Sequence, residues 1–160
     1  MFEINKTITL KLIFLISIIA LSSAFFIEYV LAHQPCNLCV LERIPYLLAL
    51  IIIVLNYKFI NLEKYFILSL ILIFLAATIL SLYHLGIEQG FIEESLVCDL
   101  KNGSNLLSKE DILRQLQEKN VSCKDVTFKI FGLSLTSYNI LISLLISINA
   151  GKVYFDYDKN

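Results

Sequence analysis

The sequence has no tryptophan, only two prolines and little charge, at 17% of 160 residues. The low charge is the most restrictive of these, because soluble domains carry about 25% charged residues. The 13 basic and 14 acidic residues nearly cancel, to a net charge of −1. That balance supplies no field to gather nucleic acid or another strongly charged partner. Scarce proline and scarce charge together exclude a disordered chain, and no repeat or low-complexity tract is present. What is abundant is apolar: 58% hydrophobic residues and a mean hydropathy of +0.76, against about 45–50% apolar residues in soluble proteins. The composition is that of a small integral membrane protein, and the length that of a single domain, 1–160.

A helix needs about 20 apolar residues to cross roughly 30 Å of hydrocarbon. Four segments meet that demand, at about 11–30, 40–57, 65–87 and 130–151. They are continuous rather than alternating, which excludes strands. The first has an apolar core longer than most signal-peptide cores, so it is expected to remain as a span. The second is uncharged only from Ile44 to Tyr57, so it is expected to begin upstream near Cys39, with Glu42 and Arg43 at its outer end. Lys58 to Lys64 is a short link that makes spans two and three antiparallel neighbours. The expected fold is therefore all-α, a four-helix membrane bundle with outer loops at 31–43 and 88–129. The long loop holds six basic and eight acidic residues. Within it, Ser108 and Asp111 have the form of a helix N-cap, and Ile112, Leu113 and Leu116 fall on one face. Lys109 to about Lys119 reads as a short amphipathic helix, either on the membrane surface or as a solvated loop helix.

Cys36 and Cys39 follow one span while Cys98 and Cys123 follow three, so all four cysteines lie on the side opposite the N-terminus. Counting basic residues gives six on one side and seven on the other. The six on the N-terminal side all sit in short segments near span ends, where the positive-inside bias is read, which favours both termini in the cytoplasm. The cysteines then face an oxidising compartment, where an even set is expected to pair.

A C-x-x-C at the start of a helix places a thiol near the positive end of the helix dipole, which lowers its pKa. A bridge across so short a loop stabilises a fold little, so redox activity is favoured over stapling. Cys98 and Cys123 bracket the long loop; a bridge there would be either exchangeable or merely a clasp on the loop. A four-thiolate zinc site would call for two C-x-x-C pairs, and the second pair is too widely spaced, so no metal is expected. Arg43, four residues after Cys39, shares its helix face. A charge there is costly and usually functional. It could stabilise the Cys39 thiolate and donate to a ligand carbonyl, or it could pair with Glu42 or reach lipid phosphate. Pro45 fixes the start of the second span. His84, near the outer end of span three, could reach the same ligand or simply bond a helix carbonyl. His33 could tune the thiols from its loop, and Glu28 is expected at the interface.

These residues resemble the disulfide bond formation protein B family, DsbB and its relative DsbI. The likeness covers nearly the whole chain: the four spans, Q-P-C-N-L-C-V-L-E-R-I-P-Y from Gln34 to Tyr46, Y-H-L-G-I-E-Q-G-F from Tyr83 to Phe91, Cys98 and Cys123, and F-G-L-S-L-T-S-Y-N from Phe131 to Asn139. The Tyr-His-x-Gly-x-Glu stretch is closer to the DsbI-type branch. The chain departs from the family where a proline often precedes the third cysteine, here Glu94-Ser95-Leu96-Val97, and where a tryptophan often opens span four, here only Phe128 and Phe131.

The resemblance implies a thiol:quinone oxidoreductase of the bacterial inner membrane with redox-active disulfides Cys36–Cys39 and Cys98–Cys123. Its partner would be a periplasmic thioredoxin-fold, DsbA-like protein. That partner would attack Cys98, Cys123 would attack Cys36, and Cys39 would reduce a quinone, ubiquinone or menaquinone, held near Arg43 with His84 as a second contact. The alternative from the residues alone is a non-enzymatic membrane scaffold with two structural disulfides. A vitamin K epoxide reductase-like enzyme fits less well, since its C-x-x-C lies late in the bundle.

Overall fold

The computed structural model describes residues 2–93, 98, 122–124, 128–130 and 132–158. Its helices are α1 (Phe2–Tyr29), α2 (Asn37–Leu41), α3 (Ile44–Lys58), α4 (Glu63–Glu88) and α5 (Leu135–Asp158). Four helical stretches are long and apolar enough to cross a membrane: Lys6–Tyr29, Asn37–Lys58, Glu63–Glu88 and Leu135–Asp156. The protein is an all-α four-helix membrane bundle. Helix α1 packs on α3 and α5, α3 packs on α4, and α4 and α5 form the most extensive pair, so the four spans close into a ring. The expected amphipathic helix at Lys109 to Lys119 lies outside the described residues.

Apolar bulk faces outward in this bundle. Leu12, Ile19, Val54, Ile79 and Leu145 are all about half exposed or more, as lipid-facing side chains should be. Lipid offers helices no hydrophobic reason to associate, so small and hydrogen-bonding residues fill the interfaces instead. Ser17, Ser81, Ser143, Ala49 and Ala77 are buried accordingly. Ser17 and Thr78 donate back to the carbonyls of Ile13 and Phe74, both at 2.8 Å, so their hydroxyls need no outside partner. The apolar centre is built by Ile13, Ile53, Leu70, Phe74 and Ile146, with Tyr46 edge-on to Phe74 at 5.6 Å.

The two ends of the bundle differ. At the end holding the N-terminus, Lys6 of α1 and Glu63 of α4 form a buried ion pair at 3.0 Å. At the other end lie the cysteines. There the second span is interrupted between α2 and α3, with Glu42 capping α2 and Arg43 preceding Ile44-Pro45. Proline at the first turn of α3 gives up no helical hydrogen bond.

Two boundaries differ from the expectation. The first helix starts well before residue 11, since Lys6 is neutralised by Glu63 and Lys11 does not interrupt the backbone. The fourth starts at Leu135 rather than Ile130, because Lys129–Ile130 (β1) and Leu133–Ser134 (β2) pair as a small antiparallel hairpin. Gly132, at φ +82°, makes that tight reversal possible. The ladder, not a helix, therefore delivers the chain to α5.

Helix α4 ends in a Schellman motif. The Phe91 N–H donates to the Gly86 carbonyl at 2.9 Å and the Gly90 N–H to the Ile87 carbonyl at 3.0 Å, with Gly90 at φ +76°. A Cβ on Gly86 would lie 2.7 Å from Ile92 Cδ1, so the returning chain packs directly over that glycine. The cap fixes the exit of the chain immediately beyond His84 and Glu88. Gly90→Ala should cost about 1–2 kcal/mol by forcing a side chain into the left-handed region; equilibrium unfolding in mixed micelles measures it.

Candidate functional site

Cys36 is the N-cap of α2. Its extended backbone turns Sγ toward the helix start, where it accepts the Cys39 N–H at 3.2 Å. On its other side Sγ lies 3.5 Å from His84 Nε2. His84 is fully buried, and its Nδ1 is 2.9 Å from Glu42 Oε1. The arrangement is a cysteine, a histidine and a carboxylate in series. With an acceptor on each side, the ring can move a proton between sulfur and carboxylate.

The series continues into the bundle. Asn139 donates to Glu42 Oε2 at 3.1 Å and to Ser81 Oγ at 2.8 Å, and it accepts from the Tyr46 hydroxyl, which also lies 3.4 Å from Ser143 Oγ. Thr136 donates to Glu88 Oε1 at 2.6 Å and lies 3.3 Å from His84 Nδ1. Buried polar groups in such a setting are stabilising only if partnered, and these partner one another across α2, α3, α4 and α5.

The geometry prepares Cys36 as the thiolate. Its pKa falls from 9.0 to about 5. The largest cause is the hydrogen bond from the Cys39 side chain; burial opposes it, and the hydrogen bond and charge of His84 add to the lowering. A low-pKa thiol is both a better leaving group and, at neutral pH, largely ionised.

The four cysteines, Arg43 and His84 come together at this end of the molecule. Cys36 and Cys123 are buried with Leu38 and Ile87 in one cluster, against which Cys39 and Cys98 pack. Cys98 and Cys123 form a disulfide with Cα atoms 5.9 Å apart. Cys36 and Cys39 carry free thiols, so the dithiol is present where the resemblance implied a second bridge. The Asn37 amide donates to the Cys98 carbonyl at 3.2 Å and ties the two pairs together.

Arg43 does not pair with its neighbour Glu42, which is engaged by His84. It forms an ion pair with Glu28 of α1 and lies over the Phe25 ring, 5.3 Å from its centroid. His33 packs against Phe128 at 5.3 Å. Glu42, Glu88, Thr136 and Asn139 were not singled out. Helical spacing does carry a signal for two of them: Glu42 is three residues after Cys39, and Glu88 is four after His84.

A cleft of about 680 Å³ opens beside the dithiol. Its wall runs down α1 and α5 from Glu28 and Tyr138 to Thr9 and Asn149, past Leu12, Ile16 and Ile142. Its head is lined by Cys36, Cys39, Arg43, His84 and Cys123. Leu12, Ile19 and Leu145 line it while also being exposed on the outer surface, so the cleft communicates with the lipid-facing side.

In the reduced protein, alkylation of Cys36 by iodoacetamide should hold near its maximum from neutral pH down to the neighbourhood of its pKa of about 5, then fall as the thiolate is protonated. Cys39→Ala should move that inflection up further than His84→Ala does. Mass spectrometry of the labelled peptide reads both shifts, and an inflection unmoved by either change would refute the assignment.

The model of the family described as disulfide bond formation protein DsbB matches residues 6–152. An uncharacterized protein of Rickettsia prowazekii (strain Madrid E) is 36% identical over 155 residues, covering 94% of this chain and 88% of the relative. No solved structure matches. With the family pattern spanning all four helices and all four cysteines, the chain belongs to the DsbB family of disulfide bond formation proteins, multi-pass membrane oxidoreductases that act in disulfide formation.

Proposed function

We propose that this protein reoxidises the dithiol of a periplasmic thioredoxin-fold, DsbA-like protein and passes the electrons to a membrane quinone. The observation that carries the reading is the placement of both cysteine pairs in one packed cluster at the head of a lipid-accessible apolar cleft. The orientation favoured by the basic residues near span ends puts both termini in the cytoplasm and the cysteines in the periplasm of an inner membrane.

Each transfer is a thiol–disulfide exchange. The partner's thiolate attacks Cys98 and forms a mixed disulfide, which releases Cys123 as a thiolate. Cys123, packed with Cys36, attacks the Cys36–Cys39 disulfide and releases Cys39; the partner's second thiol then resolves the mixed disulfide, and Cys36 is freed when Cys98–Cys123 re-forms. The resulting dithiol holds two electrons and gives up two protons on closing again to a disulfide.

The cleft fits a flat polar head with a long apolar tail. Its upper rim offers the Arg43 guanidinium and the His84 imidazole, and its length is apolar. A quinone bound there supplies a two-electron, two-proton acceptor, either ubiquinone or menaquinone. Arg43, held by Glu28, presents its remaining N–H groups to a carbonyl oxygen. His84 and Glu42 hold the proton leaving Cys36, and the α1 and α5 side chains exclude water from the sulfur atoms.

Purified protein supplied with quinone should turn over a reduced thioredoxin-fold substrate, and Cys36→Ser should stop it. Wild-type rates from that variant would overturn the relay, whereas the alternative, a non-enzymatic scaffold with structural disulfides, predicts no turnover and bridges that resist mild reductants. Arg43→Ala should raise the quinone KM about tenfold, equivalent to about 1.4 kcal/mol. In Cys123→Ala the lone Cys98 thiolate should attack the oxidised partner's disulfide and hold it as a mixed disulfide, the partner's other sulfur leaving as a thiolate, and mass spectrometry would identify the partner.

A further inference from the structure

We propose that the dithiol state of this site is a zinc site, with Cys36, Cys39 and His84 as ligands and the fourth position open to water. Cys36 Sγ, Cys39 Sγ and a ring nitrogen of His84 all lie within 4.8 Å of one another. A tetrahedral zinc ion with Zn–S of about 2.3 Å and Zn–N of about 2.0–2.1 Å requires ligand atoms about 3.5–3.8 Å apart. The Cys36 Sγ to His84 Nε2 distance is 3.5 Å. Glu88 Oε1, 3.8 Å from His84 Nε2, accepts from Thr136 at 2.6 Å and lies outside that cluster. The other Glu88 oxygen is buried and has no hydrogen-bond partner.

The surroundings match those of a metal ligand set. Zinc-bound histidines generally donate their second ring N–H to a carboxylate, which fixes the ring and raises its basicity. Glu42 occupies that position at 2.9 Å from Nδ1, and Asn139 in turn holds Glu42. The Cys39 N–H to Cys36 Sγ bond is a second support for a thiolate ligand. A four-cysteine site is not formed, since Cys98 and Cys123 are bonded to each other. The protein donor set is instead two thiolates and one imidazole.

The chemistry makes binding conditional on redox state. Zinc replaces the protons of the thiols, so binding releases up to two protons and no electrons. Closing the Cys36–Cys39 disulfide removes both sulfur ligands and expels the ion. Zinc would therefore hold the protein in its dithiol form and deny the sulfurs to an oxidant. This competition requires no particular oxidant, and the binding itself is independent of the quinone reading.

The full chain carrying Cys98→Ser and Cys123→Ser has Cys36 and Cys39 as its remaining cysteines. Reduced anaerobically and freed of reductant, it should take up one zinc in competition with a chromophoric chelator and release it when diamide closes the disulfide. Cobalt should give the sulfur charge-transfer and intense visible bands of tetrahedral coordination. His84→Ala should weaken zinc binding at least about tenfold, a loss that even supporting residues of zinc sites can produce. X-ray absorption of the zinc-loaded parent should count two sulfurs and two nitrogen or oxygen ligands, and it decides the matter if the histidine variant does not fold. Binding that survives disulfide closure, equal affinity in a folded His84→Ala variant, a different sulfur count, or no uptake by the dithiol would each overturn the proposal.

Discussion

Hydrocarbon gives a buried polar side chain no water to fall back on, and in this bundle that constraint concentrates polar groups into one connected set. His84 is its centre. The ring touches Cys36 from α2, Glu42 from the break before α3 and Thr136 from α5, while belonging to α4 itself. Losing the His84 ring would strip Cys36 Sγ and Glu42 Oε1 of a partner in a medium where an unsatisfied group costs several kcal/mol. The same contacts that satisfy these groups also fix the sulfur chemistry, so holding the helices together and preparing the thiol are one task.

At the break between α2 and α3, two adjacent charges serve different neighbours. Glu42 turns inward to His84, and Arg43 turns toward α1 to meet Glu28. A continuous helix would separate the two side chains by about 100°. Both residues keep right-handed helical dihedrals, so a comparable divergence lets each charge find an opposite partner, and the proline that follows starts α3 without an orphaned donor. Lys6 and Glu63 perform the corresponding neutralisation at the far end of the bundle.

Much of this was legible in the sequence. Gaps in the charge pattern located the four spans, and the rare residue types at one face, Cys36, Cys39, Arg43, His84, Cys98 and Cys123, are the ones the structure gathers. The partners of these residues were harder to see. Glu28 and Arg43 meet through the packing of α1 on the second span, and Asn139 meets Glu42 across 97 positions of sequence. Helix periodicity reports which residues share a face, but the rotation of one helix against another is set by packing and is not written in either helix alone. The hairpin at 129–134 was hidden for a different reason. Its residues are as apolar as the helix that follows, and the decisive feature was the backbone freedom of Gly132.

The cleft between α1 and α5 has a further implication. Because its flank is formed by apolar side chains that are also exposed, an apolar occupant can enter it sideways from the bilayer. Encounter is then a two-dimensional search, governed by the abundance and mobility of the occupant within the membrane plane and indifferent to its solubility in water. On the proposed function, a soluble partner and a lipid-borne oxidant would approach the same sulfur atoms along different routes, and neither would have to vacate the other's path.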